Sequence, residues 1–214
     1  MQPYIGVTQK FLKMNKNSDY NFSTDRFTSL TYQFQVYNQL KRSVRDIFPK
    51  WGQSLNIVYR HTPFGQQANS QAYSSLYLYI PGFSKHHGFR IYAAYQNTEK
   101  SNYPYSSLLS IPRGYSNIYL EEMMSFKVDY AFPIIYPDIA VPSVLYLKRV
   151  YSHVFFDFLN DLDHPDWSNY ESAGLEIYTD WHFLGLPAIF TLGGRYSNKL
   201  GSGDAFEFLF GLGY

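Results

Sequence analysis

Residues 28–39 read TSLTYQFQVYNQ, and their order decides the fold class. Leu30, Tyr32, Phe34 and Val36 fall at every second position, with Ser29, Thr31, Gln33 and Gln35 between them. A period of two belongs to an extended strand, whose successive side chains point to opposite faces, so one face here is apolar and the other polar. The pattern returns along the chain. Leu55, Ile57 and Tyr59 oppose Ser54, Asn56 and Arg60, and Phe89, Ile91, Ala93 and Tyr95 oppose Arg90, Tyr92 and Gln96. Phe126, Val128, Tyr130 and Phe132 oppose Lys127 and Asp129, and Leu175, Ile177, Trp181 and Phe183 oppose Glu176, Asp180 and His182. Alternation is plainest at the end, where Phe206, Phe208, Phe210, Leu212 and Tyr214 face away from Ala205, Glu207, Gly211 and Gly213.

About ten such strands are expected, over 3–12, 28–40, 53–61, 73–80, 88–97, 119–134, 149–159, 171–183, 187–197 and 204–214. Many reach the roughly 9–11 residues that a tilted strand needs to cross a bilayer. No stretch carries a helical period, so no helix offers itself to cover a sheet. A membrane admits only helices or closed barrels, because every backbone N–H and C=O must be paired away from water. The expected fold is therefore all-β, an antiparallel transmembrane β-barrel. A soluble β-sandwich or lipocalin-like barrel also alternates, but it turns the apolar face inward. The size and aromaticity of the apolar face, repeated in almost every strand, favour the membrane barrel.

Composition agrees. Tyr, Phe and Trp number 22, 18 and 3 in 214 residues, while charged residues make up 16%, against about 25% in ordinary soluble domains. Aromatics in this amount suit strands and suit boundaries where one end of a ring is dry and the other wet. With no cysteine there is no disulfide framework, thiolate metal site or cysteine nucleophile. A formal charge of +1 without a basic block argues against nucleic acid as a partner. The N-terminal MQPYIGVTQKF lacks the pattern of a signal peptide. The length fits one domain spanning residues 1–214.

Outer-membrane barrels have short periplasmic turns and longer outer loops. With the C-terminus periplasmic, Leu184–Pro187 (LGLP) and Pro81–Lys85 (PGFSK) become short inner turns, and the polar segments 13–27, 62–72, 98–118 and 159–170 lie outside. The inner connections around 41–52 and 135–148 are longer than the rule expects.

With polar faces turned inward, the lumen holds the informative residues. Residues 111–115 (IPRGY) close a long polar segment and precede SFKVDYAFPI at 125–134 and VFFD at 154–157. Alternation puts Asp129 on the lumen face, and Asp157 too if Ser152, Val154, Phe156 and Phe158 face lipid. Two carboxylates away from bulk water need a partner. Arg113 is the natural one, because its planar fork bonds two carboxylates and its loop is long enough to fold back. Taken alone, an arginine between Pro and Gly is an ordinary turn residue. The role expected of the set is to pin a loop inside the barrel, with no catalytic residue.

The succession IPRGY, SFKVDYAFPI, VFFD, YESAGLEI and an aromatic final strand resembles the C-terminal barrel of the Omp85 superfamily, the outer-membrane protein assembly factors and two-partner secretion translocators. That family carries a loop-borne Val/Ile-Arg-Gly-Phe/Tyr motif that folds into the lumen and meets acidic residues on the next two strands. Arg113, Gly114 and Tyr115 match it, with Pro112 inserted before the arginine, and Asp129 and Asp157 match the acidic partners. The match is specific over about residues 111–214. It implies sixteen strands, of which the last ten stand here, so the barrel is expected to be incomplete on its N-terminal side. It further implies a bacterial outer-membrane location, contact with membrane lipid and lipopolysaccharide, and client outer-membrane or secreted proteins. Phe206, Phe208, Phe210, Leu212 and Tyr214 resemble a terminal signal recognised by strand addition. No cofactor is implied. The alternative is a free-standing ten-stranded barrel acting as pore, adhesin or outer-membrane enzyme.

Other clusters read more plainly. Asp157, Asp161, Asp163, His164 and Asp166 lack EF-hand spacing and fit a solvated outer loop. His86 and His87 sit in a tight turn, where solvation is commoner than metal ligation. Glu121 and Glu122 are strand neighbours and point apart.

Overall fold

The computed structural model describes residues 2–11, 26–40, 42–43, 45–64, 69–99, 105–116, 118–142, 144–163 and 169–213. These form β1 (Gln2–Phe11), β2 (Arg26–Gln39), β3 (Gly52–Phe64), β4 (Asn69–Pro81), β5 (Gly88–Thr98), β6 (Glu122–Ile135), β7 (Ile139–Val141), β8 (Leu145–Asp161), β9 (Asn169–Phe183), β10 (Ile189–Lys199) and β11 (Gly203–Gly213), with no helix among the described residues. All strands but β7 lie side by side in chain order, each antiparallel to the next, with β6 followed directly by β8. The fold is all-β, a single antiparallel sheet of ten long strands.

No pairing joins β1 to β11, so the sheet is open. The free-standing ten-stranded barrel, the alternative expected from sequence, is not what these described strands make. Each edge strand has a hydrogen-bonded neighbour on one side only, and closure needs both edges to meet. The sheet is nonetheless curled: Phe48, between β2 and β3, touches His153 on β8, with ring centroids 5.2 Å apart.

The two faces differ as the alternation requires. On β6 and β8 the side chains of Ser125, Asp129 and Asp157 are buried at 0–2% exposure, while Phe126, Val154 and Phe156 on the opposite face are 39–47% exposed. Gln71, Gln96, Glu176 and Asp180 are also buried, and Leu55, Ile57, Leu175 and Ile177 are exposed. The concave interior is therefore polar and the convex exterior apolar, the reverse of a soluble barrel. Phe206, Phe208, Phe210 and Leu212 continue the exterior on β11, each more than half exposed; Tyr214 lies outside the described residues. Ser152 departs from the simple alternation. It shares Val154's parity yet is buried, and its hydroxyl donates to the Glu176 carbonyl at 2.7 Å.

Two connections differ from their sequence reading. The segment around 135–148 is not a long loop. After Asp138, at φ 47°, the chain resumes pairing as β7 against the start of β8, and the Val144 amide donates to the Val141 carbonyl at 3.0 Å. Tyr146 donates to Asp138 at 2.7 Å across this irregularity. The 40–51 connection stays long because it does a different job. It folds under the sheet, burying Ile47 against Ala131 and Tyr151.

Candidate functional site

The segment 105–121 returns into the concavity from the end opposite to 40–51. Its seating is partly apolar, with Leu109, Ile111, Ile118 and Leu120 against Val58, Tyr73, Tyr92, Met123 and Leu159. Polar groups of the inner face fix its path. Gln96 accepts from the Leu108 and Leu109 amides at 2.8 and 3.2 Å, Lys127 donates to Ser110 Oγ at 2.9 Å and to the Ile111 carbonyl, and the Tyr105 hydroxyl lies 2.8 Å from both Ser29 and Thr62. A loop so held exchanges solvent for specific partners, which is what burial of backbone polar groups demands.

Arg113 stands at the turn of this loop. Nη2 donates to Asp157 Oδ1 at 2.6 Å and Nε to Asp157 Oδ2 at 2.9 Å, the fork-on-fork pairing available to a planar guanidinium. The Arg113 amide donates to the same Oδ2 at 2.9 Å. Nη1 lies 2.7 Å from Asp129 Oδ1 and 3.2 Å from Glu176 Oε1. Beneath it, the Phe155 ring lies 3.7 Å from the guanidinium carbon, a cation–π seat. A Cβ on Gly174 would run into that ring, so glycine there lets Phe155 lie flat. Burial pulls the Arg113 pKa down, but the Asp157 hydrogen bonds and the charges of Asp129, Asp157 and Glu176 outweigh it and raise the value above its ordinary one. The guanidinium is permanently charged.

Its neighbours follow the same register. Arg90 stands directly opposite Asp129 and donates to Oδ2 from Nε at 3.0 Å, and Lys127 stands opposite Asp157 at 3.6 Å. Glu176 has His153 across on β8 and Arg195 across on β10, the latter at 2.6 Å, and Arg195 reaches on to Glu207 at 2.7 Å. Arg90, Arg113, Lys127 and Arg195 thus face Asp129, Glu176 and Glu207 around a cavity of about 590 Å³, with Asp157 paired to Arg113 outside its lining. Each of these carboxylates is engaged by a cation, and the geometry fixes the loop against the inner face.

Gly114, at φ 84°, turns the chain where an added Cβ would approach Ser197 Cβ to 3.1 Å. Tyr115 donates to the Glu171 carbonyl at 3.2 Å and packs edge-on against Tyr170. The structure thus brings together Arg113, Gly114, Tyr115, Asp129 and Asp157, and keeps the β11 aromatics apart on the exterior. Sequence reasoning missed Glu176, Arg90, Lys127 and Arg195 as members of the cluster, although alternation had set Glu176, Arg90 and Lys127 on polar faces; cross-strand register was the missing signal.

The remaining candidates disperse. Asp157 belongs to Arg113, Asp161 accepts from the Asp163 amide at 3.0 Å, and His164 and Asp166 lie outside the described residues. His86 and His87 are half-buried and partnered: Nδ1 of His86 lies 2.8 Å from Asp46, and Nδ1 of His87 lies 2.6 Å from the Tyr130 hydroxyl. Asp46 of the 40–51 segment holds the His86 ring, while Tyr130 and Phe132 on β6 flank the His87 ring, so both are partly rather than fully solvated. Glu122 accepts from Tyr95 at 2.6 Å. Among the described residues no three His, Asp or Glu side chains gather as a metal would require. No model of a known protein family matches the chain, and no curated protein matches it.

Proposed function

We propose that this chain is part of an outer-membrane β-barrel of the Omp85 type, acting in insertion or translocation of proteins at the outer membrane. The observation that carries the membrane half of this reading is the reversed partition of the sheet, with Asp129, Asp157 and Glu176 buried and Phe126, Val154 and Ile177 exposed on the same strands. Water does not favour a continuous aromatic exterior on a monomer, whereas hydrocarbon does. The ten long strands of the sheet run from 10 to 17 residues, long enough to cross. The Omp85 half is supported by the IPRGY loop, whose arginine reaches carboxylates on the following strands. The working part would be the strand edges: β11 offers a row of unpaired backbone groups to an incoming strand. Its partners would be membrane lipid, lipopolysaccharide and client proteins.

Two measurements test this. Outer-membrane fractions of the source cells, probed with an antibody against residues 199–214 before and after boiling, should give a band that shifts on heating. Cells depleted of the protein should lose assembled barrel or secreted proteins from the outer membrane. A band confined to the soluble fraction contradicts the membrane reading, and unchanged outer-membrane and secreted protein content contradicts the assembly function.

A further inference from the structure

The Arg113 cluster has a floor, and that floor comes from the other end of the sheet. Phe48, in the connection between β2 and β3, packs on two residues of the inner face. Its ring lies 4.9 Å from the Arg90 guanidinium carbon and 5.2 Å from the His153 ring. Arg90 holds Asp129, with Nη2 at 2.9 Å from Oδ2, and His153 lies 3.3 Å from Glu176. Asp129 and Glu176 are the two carboxylates that share Arg113 Nη1. Two routes of direct contact therefore lead from Phe48 to Arg113, one through Arg90 and Asp129 and one through His153 and Glu176.

The far side of the same segment is clamped. Asp46 is bonded to His86, with Lys50 3.6 Å away, and its Oδ2 accepts from the Ser43 amide at 3.3 Å. Lys50 also donates to the His87 carbonyl at 3.2 Å, and Tyr136 donates to the Arg45 carbonyl at 3.0 Å. The segment is thus tied to the β4–β5 turn and to the end of β6 while its next residues, Ile47 and Phe48, stand inside.

We propose that residues 45–50 and the 105–121 loop form one coupled plug, in which seating of Phe48 at the lower end sets how firmly Arg113 is held at the upper end. The inference goes beyond the proposed function and rests on interior packing alone. Coupling of this kind is reciprocal: whatever dislodges either segment loosens the other. An event at the lower end, such as a partner drawing Asp46 off His86, would be felt at the upper loop without contact between the two ends. Interior packing transmits such a shift because it has few voids in which to absorb it.

Amide hydrogen exchange on the full chain tests it, read at Arg113, whose amide is held by Asp157, and at Leu108 and Leu109, held by Gln96. Phe48→Ala should speed exchange at Arg113 about tenfold, within the range usual for coupled sites. Phe83→Ala, an 88% exposed phenylalanine in the β4–β5 turn, should leave it unchanged. Conversely, Arg113→Ala should speed exchange of the amides at 46–48. Should Phe48→Ala fail to fold, Asp46→Asn weakens the clamp while leaving the Phe48 side chain intact and should raise Arg113 exchange in the same direction. Unchanged Arg113 exchange in the folded Phe48→Ala protein, or in Asp46→Asn where the 45–50 amides have themselves become exposed, overturns the proposal.

Discussion

Arg113 and Asp157 meet three times: Nη2 lies 2.6 Å from Oδ1, and Nε and the backbone amide each lie 2.9 Å from Oδ2. A loop and a strand are joined here by both main chain and side chain, with the carboxylate wholly buried. Removing one partner of such a pair leaves an uncompensated charge in a dry place, a cost of about 3–5 kcal/mol. Arg113→Ala should therefore lower stability by that order in denaturant unfolding and reduce the yield of folded protein. Arg60→Ala is the comparison, because among the described residues Arg60 makes only a 3.5 Å bond to the Ser106 carbonyl and a 5.4 Å approach to the Tyr105 ring. Its loss should cost under about 1 kcal/mol. Equal unfolding midpoints for the two variants would contradict the clamp.

Gly114→Ala tests the turn that delivers the arginine. Its φ of 84° lies in the left-handed region, which costs a residue bearing a Cβ about 1–2 kcal/mol, and the 3.1 Å approach to Ser197 adds crowding. The variant should unfold more easily by about that amount and lose amide protection at Arg113. Full retention of both would mean the loop has another way in.

Acid should release the lower clamp. Burial raises the Asp46 pKa, but the His86 hydrogen bond, the Lys50 charge and the Ser43 amide together lower it below the ordinary carboxylate value. A carboxyl depressed in the folded state contributes stability that is complete above its unfolded pKa and is lost as pH falls through the lower folded value. Protection of the amides at 45–50 should therefore be flat above about pH 4 and fall below it. Asp46→Asn should remove the fall; its persistence in that variant would assign the acid sensitivity elsewhere.

Lipid should distinguish the two faces. Phe208 is 73% exposed on the convex side of β11. Phe208→Arg should be nearly silent in detergent-free water but oppose insertion into a bilayer, by about 2–4 kcal/mol near the midplane. Equal folding yields for the variant and the parent in lipid vesicles would contradict a lipid-facing position.

Much of this was legible in the residue order. Ten strands follow from period two, because each has one face fixed by burial and a slip of one residue would invert both faces. Asp129 and Asp157 were placed inward by the same parity, which needs no knowledge of neighbours. What parity cannot give is which inward residues stand opposite each other. Glu176 joins Arg113 only because β9 pairs beside β8 with His153 across from it, and that register is set along the whole strand. The three residues of β7 carry no alternation to read, and the strand expected from 119 begins at Glu122 because the preceding residues belong to the inward loop. The 40–51 segment announced itself indirectly: it was too long for an inner turn, and the excess is the portion that carries Ile47 and Phe48 inside.

The proposed membrane location requires that the apolar convex face meet hydrocarbon. The chain has no cysteine, so single cysteines can be placed at Phe126, Val154, Ile177 and Phe208 on that face, and at Gln96, Ser125 and Ser197 on the concave face, each carrying a polarity-sensitive dye. With the protein in lipid vesicles, the first set should report a hydrocarbon environment that lipid-borne quenchers reach, and the second a polar one that they do not. Dyes on the convex face that report water, with the protein remaining in the vesicle-free supernatant, would contradict the account.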